Sequence, residues 1–348
     1  MITVKKGSII RFMSSMQAYR VFSLKKIRPT VLLICAMVAG MILPGHSICY
    51  TQQLSHNQAQ RQLLYPLQTG PNTSGKTDPS RLRLVTGIGA GMYAGSVSYM
   101  SFVWYRDKER VPFHFYNDGK AYLQMDKFGH AYAAYWQSTA AFEALRWAGV
   151  DKRRALLWGG PAGFVFQAPI EILDGMHEGY GFSWWDVVAN GVGSVLFSMQ
   201  QAVFDEQLVL MKFSYAPSRY PRYHHKLGEN HFDRFFLDYN GHTYWFSANL
   251  KSITGIAFLP SWLQLAYGYS ANGMILEFDN PATYRGEPFP HLDRYRQHLL
   301  SLDIDLSRIP AKRRWVRTVL KTVNTVKIPF PALEFTRSDG IQFRPLYF

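Results

Sequence analysis

The chain has 348 residues, 47% of them hydrophobic and 16% aromatic, enough for two domains or one large domain with an appendage. Its formal net charge is +14, but Lys5, Lys6, Arg11, Arg20, Lys25, Lys26 and Arg28 stand without any acid in residues 1–49, and the remainder carries +7. That moderate excess, with no basic motif interleaved with aromatics, argues against a nucleic-acid partner.

Residues 1–49 read as a signal peptide or N-terminal anchor. Lys25, Lys26 and Arg28 flank an apolar run over 31–43 of h-region length, and Gly45 and Ser47 supply small residues for cleavage. Cys49 invites lipidation, although Ile48 before it departs from a lipobox. Cys35 and Cys49 are the only cysteines, so the exported chain has no internal disulfide and no cysteine metal site. Residues 50–80 are polar and form a flexible linker. The expected location is the cell envelope, facing the periplasm and associated with the inner or outer membrane.

The expected fold class is α+β. Residues 81–206 predict a glycine-rich four-helix bundle, and two readings stand for it: membrane-embedded, or the core of a soluble bundle. Residues 84–105 carry no charge, are long enough to span a bilayer, and place Gly87, Gly91 and Gly95 in a small-residue stripe. A second helix begins at Asp126, a capping residue, and ends before Gly149. Asp151 caps a third, uncharged over 155–170, in which Gly159 and Gly163 form a close-packing pair and Pro169 introduces a kink before Glu171. Ser183-x-x-Asp186 is a capping box for a fourth helix reaching about Phe204.

Residues 207–348 form a β-rich C-terminal region. Strand patterns occur over 208–215, 243–250, 262–269, 298–306, 333–336 and 341–347, and Ser338-Asp339-Gly340 makes the last hairpin turn. Between them, 312–327 reads as a basic amphipathic helix, with Arg313, Arg317 and Lys321 on one side and Val316, Val319, Leu320 and Val323 on another. Such a helix lies on an anionic membrane surface or caps a sheet.

Three polar clusters interrupt the apolar helices: Asp126-Lys127-x-x-His130, Glu171-x-x-Asp174, and Ser183-x-x-Asp186 with Asn190 behind it. Ionisable groups in apolar surroundings are costly unless they pair or bind something. Asp126, His130, Glu171 and Asp174 offer oxygen and nitrogen ligands for a divalent metal. In a catalytic reading, His130, Asp126 and Glu171 supply acid–base chemistry, while Lys127, Asp174, Asp186 and Asn190 bind ligand, with Lys127 meeting an anionic group. In a structural reading the same residues cap helices and pair with one another.

The order and spacing of these motifs, with Gly181-Phe182-Ser183-Trp184-x-Asp186 ahead of Asn190 and Gly193, resemble the YfiM-like family of predicted periplasmic lipoproteins over about residues 120–205. Asp238-Tyr239-Asn240-Gly241 and Gly268-Tyr269 resemble the longer form found in Bacteroidota, and a looser likeness joins the clusters to VanZ-like membrane proteins. The resemblance implies an envelope location and no established activity. The balance favours a structural or assembly component on a membrane-associated bundle, with a membrane and an envelope protein as partners. The alternative is a metal-assisted hydrolase or transferase acting on a lipid or cell-wall substrate through Asp126, His130, Glu171, Asp174 and Asp186.

Overall fold

The computed structural model describes residues 76–348. The expected signal segment, Cys49 and nearly all of the linker lie outside the described residues. The first helix, α1 (Pro79–Tyr99), is capped by Asp78, whose carboxylate accepts from the Ser80 and Arg81 amides. One wide helical turn, Met100–Trp104, continues it. No residue of α1 is buried, and a Cβ built at Gly87, Gly91 or Gly95 would meet nothing within 4 Å. The glycine stripe therefore has no packing partner among the described residues.

The second helix, α2 (Met125–Trp147), is the spine of the molecule, burying Met125, Phe128, Ala131, Ala134, Tyr135, Ser138 and Phe142. Asp126 is not its cap: it lies in the first turn, and Gln124 occupies the cap position in a left-handed conformation. The expected third helix is two, α3 (Lys152–Gly159) and α4 (Ala162–Asp174). They separate at Gly160–Pro161, where a Cβ on Gly160 would lie 2.5 Å from both the Leu156 carbonyl and the Ser198 hydroxyl of the next helix. Pro169 lies inside α4 as expected. The last helix of this layer, α5 (Trp184–Phe204), is capped by Ser183, whose hydroxyl accepts from the Asp186 amide. Among the described residues α5, and not the 84–105 stretch, is long and apolar enough to cross a membrane. It packs on α2 and buries Ala189, Leu196 and Phe197.

The C-terminal half is an antiparallel sheet in the order β1-β2-β3-β6-β7-β8. Its strands are β1 (Val209–Tyr215), β2 (His242–Asn249), β3 (Leu263–Asn272), β6 (Tyr295–Ile304), β7 (Phe330–Thr336) and β8 (Gly340–Tyr347). A small hairpin of β4 (Thr283–Tyr284) and β5 (Glu287–Pro288) is inserted before β6. Two short helices, α6 (His231–Leu237) and α7 (Leu250–Thr254), flank β2. The basic helix, α8 (Arg314–Val323), precedes β7.

Alternation gives the sheet two unlike faces. Met211, Tyr244, Phe246 and Tyr269 point to α2 and share one core with Phe128 and Tyr135. Phe128 stacks on Tyr269 with ring centroids 4.6 Å apart. The opposite face is buried and mixed, with Trp245, Ala266, Leu299 and Ala332 set among Lys212, Ser247, Gln264, Asp303 and Glu334. The sheet rolls around that face. Tyr347 of β8 touches Thr243 of β2 at 3.4 Å, although four strand spacings would separate them by about 19 Å in a flat sheet. The open edge of β1 is met by Thr325 and Lys327, which exchange backbone hydrogen bonds with Phe213. The helical layer and the sheet therefore share one apolar core, and the polar clusters lie at one end of α2.

Candidate functional site

The three clusters come together because their helices approach α2 at glycines. A Cβ on Gly163 of α4 would run into the Ala134 carbonyl, and one on Gly193 of α5 into the Ala131 carbonyl. This close approach brings the first turn of α2 (Asp126, Lys127, His130), the last turn of α4 (Glu171, Asp174) and the start of α5 (Asp186, Asn190) into one site.

Lys127 is at its centre. Its Nζ lies 2.6 Å from Asp118 Oδ2, 2.7 Å from Asp186 Oδ1 and 3.0 Å from Asp126 Oδ2. The ammonium expected to meet an anionic ligand is thus held by three carboxylates. His130 lies beside it, with Nε2 3.8 Å from both Asp126 Oδ1 and Asp186 Oδ1. Its Nδ1 is 3.2 Å from Asn190 Oδ1 and 3.5 Å from Glu171 Oε1. The neutral tautomer that donates Nδ1–H to Asn190 leaves the Nε2 lone pair facing the two aspartates, the arrangement of a metal-ligating imidazole oriented by an outer partner. One ligand atom from each of Asp126, His130 and Asp186 falls within 4.8 Å of the others. Glu171 is 1% exposed, and its Oε1 has no hydrogen-bond partner. Asp174 is drawn aside by Tyr105, whose hydroxyl donates to its Oδ1 at 2.5 Å.

Positive charge is scarce here. Five carboxyls surround one ammonium and one imidazole. Burial raises the Asp126 carboxyl, but Lys127 and then His130 outweigh it and hold the group at about 2. Glu171 and Asp174 have no cation so close, and at Asp186 burial outweighs Lys127, 2.7 Å away. Burial, reinforced by Asp186 and Asp174, pushes Glu171 up to about 9. Burial, reinforced by Asp126, pushes Asp186 up to about 7. Burial also raises Asp174 to about 6, against the Tyr105 hydrogen bond. Lys127 is driven the other way: burial alone would lower it, but Asp126, Asp186 and Asp118 together hold it well above the usual lysine range. Protons thus fill part of the place that cations would take.

Three further residues complete the site. Asp118 bridges Lys127 and the Ser183 hydroxyl, which donates to it at 2.5 Å. Tyr239, from the segment before β2, donates to Asp126 Oδ1 at 2.9 Å. Tyr105 restrains Asp174. The sequence marks two of these faintly, through the Asp118-Gly119 turn pair and the Asp238-Tyr239-Asn240-Gly241 motif. Tyr105 carries no local signal. Nor does the backbone before α2, where Tyr122, Leu123 and Gln124 have φ of 44°, 51° and 68°. Three consecutive non-glycine residues in the left-handed region cost about 1 kcal/mol or more each. Contacts at both ends offset this: Tyr122 N–H donates to the Glu277 carbonyl, Tyr269 hydroxyl donates to the Leu123 carbonyl, and Arg296 donates to Gln124 Oε1. The strained turn fixes the Asp118 loop against the start of α2.

The fold and site define a mixed α and β protein whose helical layer buries an acid-rich cluster against a rolled antiparallel sheet. Residues 114–202, about a quarter of the chain, are similar to the family described as "Predicted periplasmic lipoprotein (DUF2279)". The matched stretch contains all three clusters and Asp118. It supports an exported, periplasm-facing location in the cell envelope. No curated protein and no solved structure matches the chain.

Proposed function

We propose that this envelope protein holds a divalent cation between its helices, through Asp126, His130 and Asp186 with Glu171 as a fourth donor. The carrying observation is the buried Glu171 Oε1, without a hydrogen-bond partner, beside a three-ligand group whose two aspartates share a single ammonium. A carboxylate and imidazole donor set suits Mg²⁺, Mn²⁺ or Zn²⁺. The cation ties α2, α4 and α5 together at their polar ends, so its role is to lock the helical layer of an envelope assembly component. The YfiM-like motif order, within a long form carrying a β-rich extension, is consistent with this reading.

A second reading rests on one observation. Asp126 at about 2 and Glu171 at about 9 are carboxyls pushed far apart within one site, the pattern of an acid–base pair in metal-assisted hydrolysis or transfer. Thermal unfolding of metal-stripped protein, titrated with Mg²⁺, Mn²⁺ and Zn²⁺, tests the first reading. One of these ions should raise Tm in the parent and not in Asp186→Asn. No shift with any of them removes the cation. Turnover of lipid phosphoesters or cell-wall fragments that depends on the same ion would shift the assignment to the second reading.

A further inference from the structure

Helix α8 lies outside the stretch matched to any family, and the cation site does not use it. It is ten residues long, with no acid from Arg314 to Val323. At 100° per residue, Arg314, Arg317 and Lys321 share one side, while Trp315, Val316, Val319, Leu320 and Val323 share the other. Only part of that apolar side is used by the fold. Val316 and Leu320 are half-buried against the body, whereas Trp315, Val319 and Val323 stand 63%, 48% and 49% exposed. They form a stripe at i, i+4 and i+8, one turn apart, and exposed Val326 follows it.

The helix is held firmly enough to present this stripe. Asn324, at its C-terminal end, donates to the Asp305 carboxylate and accepts from the Leu306 amide. Lys321 pairs with Glu143 of α2 at 3.0 Å. Arg314 and Arg317 have no acidic partner among the described residues, and Lys312 and Arg313 add to the same basic end.

We propose that α8 is a membrane-docking helix that seats the protein on an anionic phospholipid surface, with Trp315, Val319 and Val323 in the headgroup–acyl boundary and Arg314 and Arg317 on lipid phosphates. Charge complementarity selects this occupant: a basic helix without acids, carrying an exposed apolar stripe with a tryptophan, matches an anionic interface. An envelope protein has such a surface within reach. The docking does not depend on the cation site.

Flotation of the full chain with phosphatidylglycerol-containing and pure phosphatidylcholine vesicles tests it. The parent should favour the anionic vesicles. Arg314→Gln/Arg317→Gln should weaken that binding about 25-fold, two interfacial charges at roughly a factor of five each. Val319→Ser/Val323→Ser, a lesion of different chemistry, should weaken binding to both vesicle types. Both double variants should keep the parent's melting curve, because the altered side chains are exposed. Unchanged flotation of both variants, or equal parental binding to neutral and anionic vesicles, overturns the proposal. So does a concentration-dependent dimer of the parent that the valine variant abolishes, since the stripe would then bind a second copy.

Discussion

Two regions of this protein bury charge, and they do so with opposite bookkeeping. Inside the rolled sheet, Lys212 and Asp303 are fully buried and pair one to one at 2.9 Å. Lys212 also donates to the Ile304 carbonyl, and Asp303 accepts from Ser247. The second buried cation there, Lys327, sits 4.5 Å from the Trp245 ring centre and donates to the Ile328 carbonyl. Burial, with Lys212 adding and Asp303 opposing, pushes it down to about 8. In the helical layer one lysine faces three carboxylates, two more carboxyls lie nearby, and burial pushes carboxyls up. The unpartnered atoms differ in the same sense. In the sheet they are Asp303 Oδ1 and the Gln264 amide, opposite one another in the β3–β6 register, and an amide can donate to a carboxylate. In the helical site Glu171 Oε1 and the Asn190 amide nitrogen are unpartnered too, but there the charges acting on Glu171 are mostly acidic, with Lys127 the weaker opposing one. The sheet interior pairs its acid with a lysine, whereas the helical site holds more carboxyls than cations, which is the basis of the proposed cation.

The largest expected contrast is between the two central lysines. Lys212→Met leaves Asp303 buried and unpaired and should cost about 3–5 kcal/mol, read by denaturant unfolding, whatever metal is added. Lys127→Met should destabilise comparably in chelator but recover in millimolar divalent cation, because the cation can replace the ammonium. Equal behaviour of the two variants would erase the distinction between the regions.

Next in size is Gly163→Ala. The added methyl meets the Ala134 backbone, so α4 must move off α2. A loss of about 2 kcal/mol is expected in a chemical melt, together with loss of any metal-dependent stabilisation. Gly91→Ala is the control, since nothing lies near its Cβ. It should leave Tm unchanged or raise it slightly through helix propensity. A drop would mean that the α1 stripe has a partner.

Glu171→Gln gives a smaller, pH-dependent effect of unusual sign. The folded carboxyl titrates near 9 and its ordinary value is 4.5. Between these values the folded chain holds the extra proton, so this contribution to stability is complete below about 4.5 and is lost as pH rises toward 9. In chelator the amide should therefore melt above the parent at pH 8, by several degrees, and level with it near pH 4.5. Asp126 runs the other way. Held at about 2 against 3.8, it contributes stability above about 3.8 that disappears as pH falls toward 2. Its acid limb should be missing from the melts of Asp126→Asn.

Local pattern made much of this readable. The strands at 209–215 and 242–249, the Asp339-Gly340 turn and the Ser183 cap follow from alternation and capping chemistry. Gly159 and Gly163 at helical spacing announced a close contact, and they make one with Phe142 and Ala134 of α2. The same reasoning gave Gly87, Gly91 and Gly95 a contact absent from the described residues, because spacing shows that a helix can be approached and not that one approaches. The break at Gly160–Pro161 has a local cause, since Pro161 has no N–H to continue the ladder, yet Pro169 lies within α4 without ending it, so proline alone does not mark a helix end. For the site, the polar residues at helix ends were legible as costly if left alone. Their convergence was not, because it depends on which carbonyls the glycines of α4 and α5 meet. Tyr105 and Tyr239 come from distant segments and enter only through the tertiary fold.

The most direct test of the central claim is elemental analysis of the purified protein beside Glu171→Gln and Asp186→Asn. The expected result is one divalent metal ion per parent chain, lost in both variants while their circular dichroism stays native. A parent without metal after purification in metal-supplemented buffer, no more stable with added cation than with chelator, would contradict it and leave the cluster as a proton-holding network.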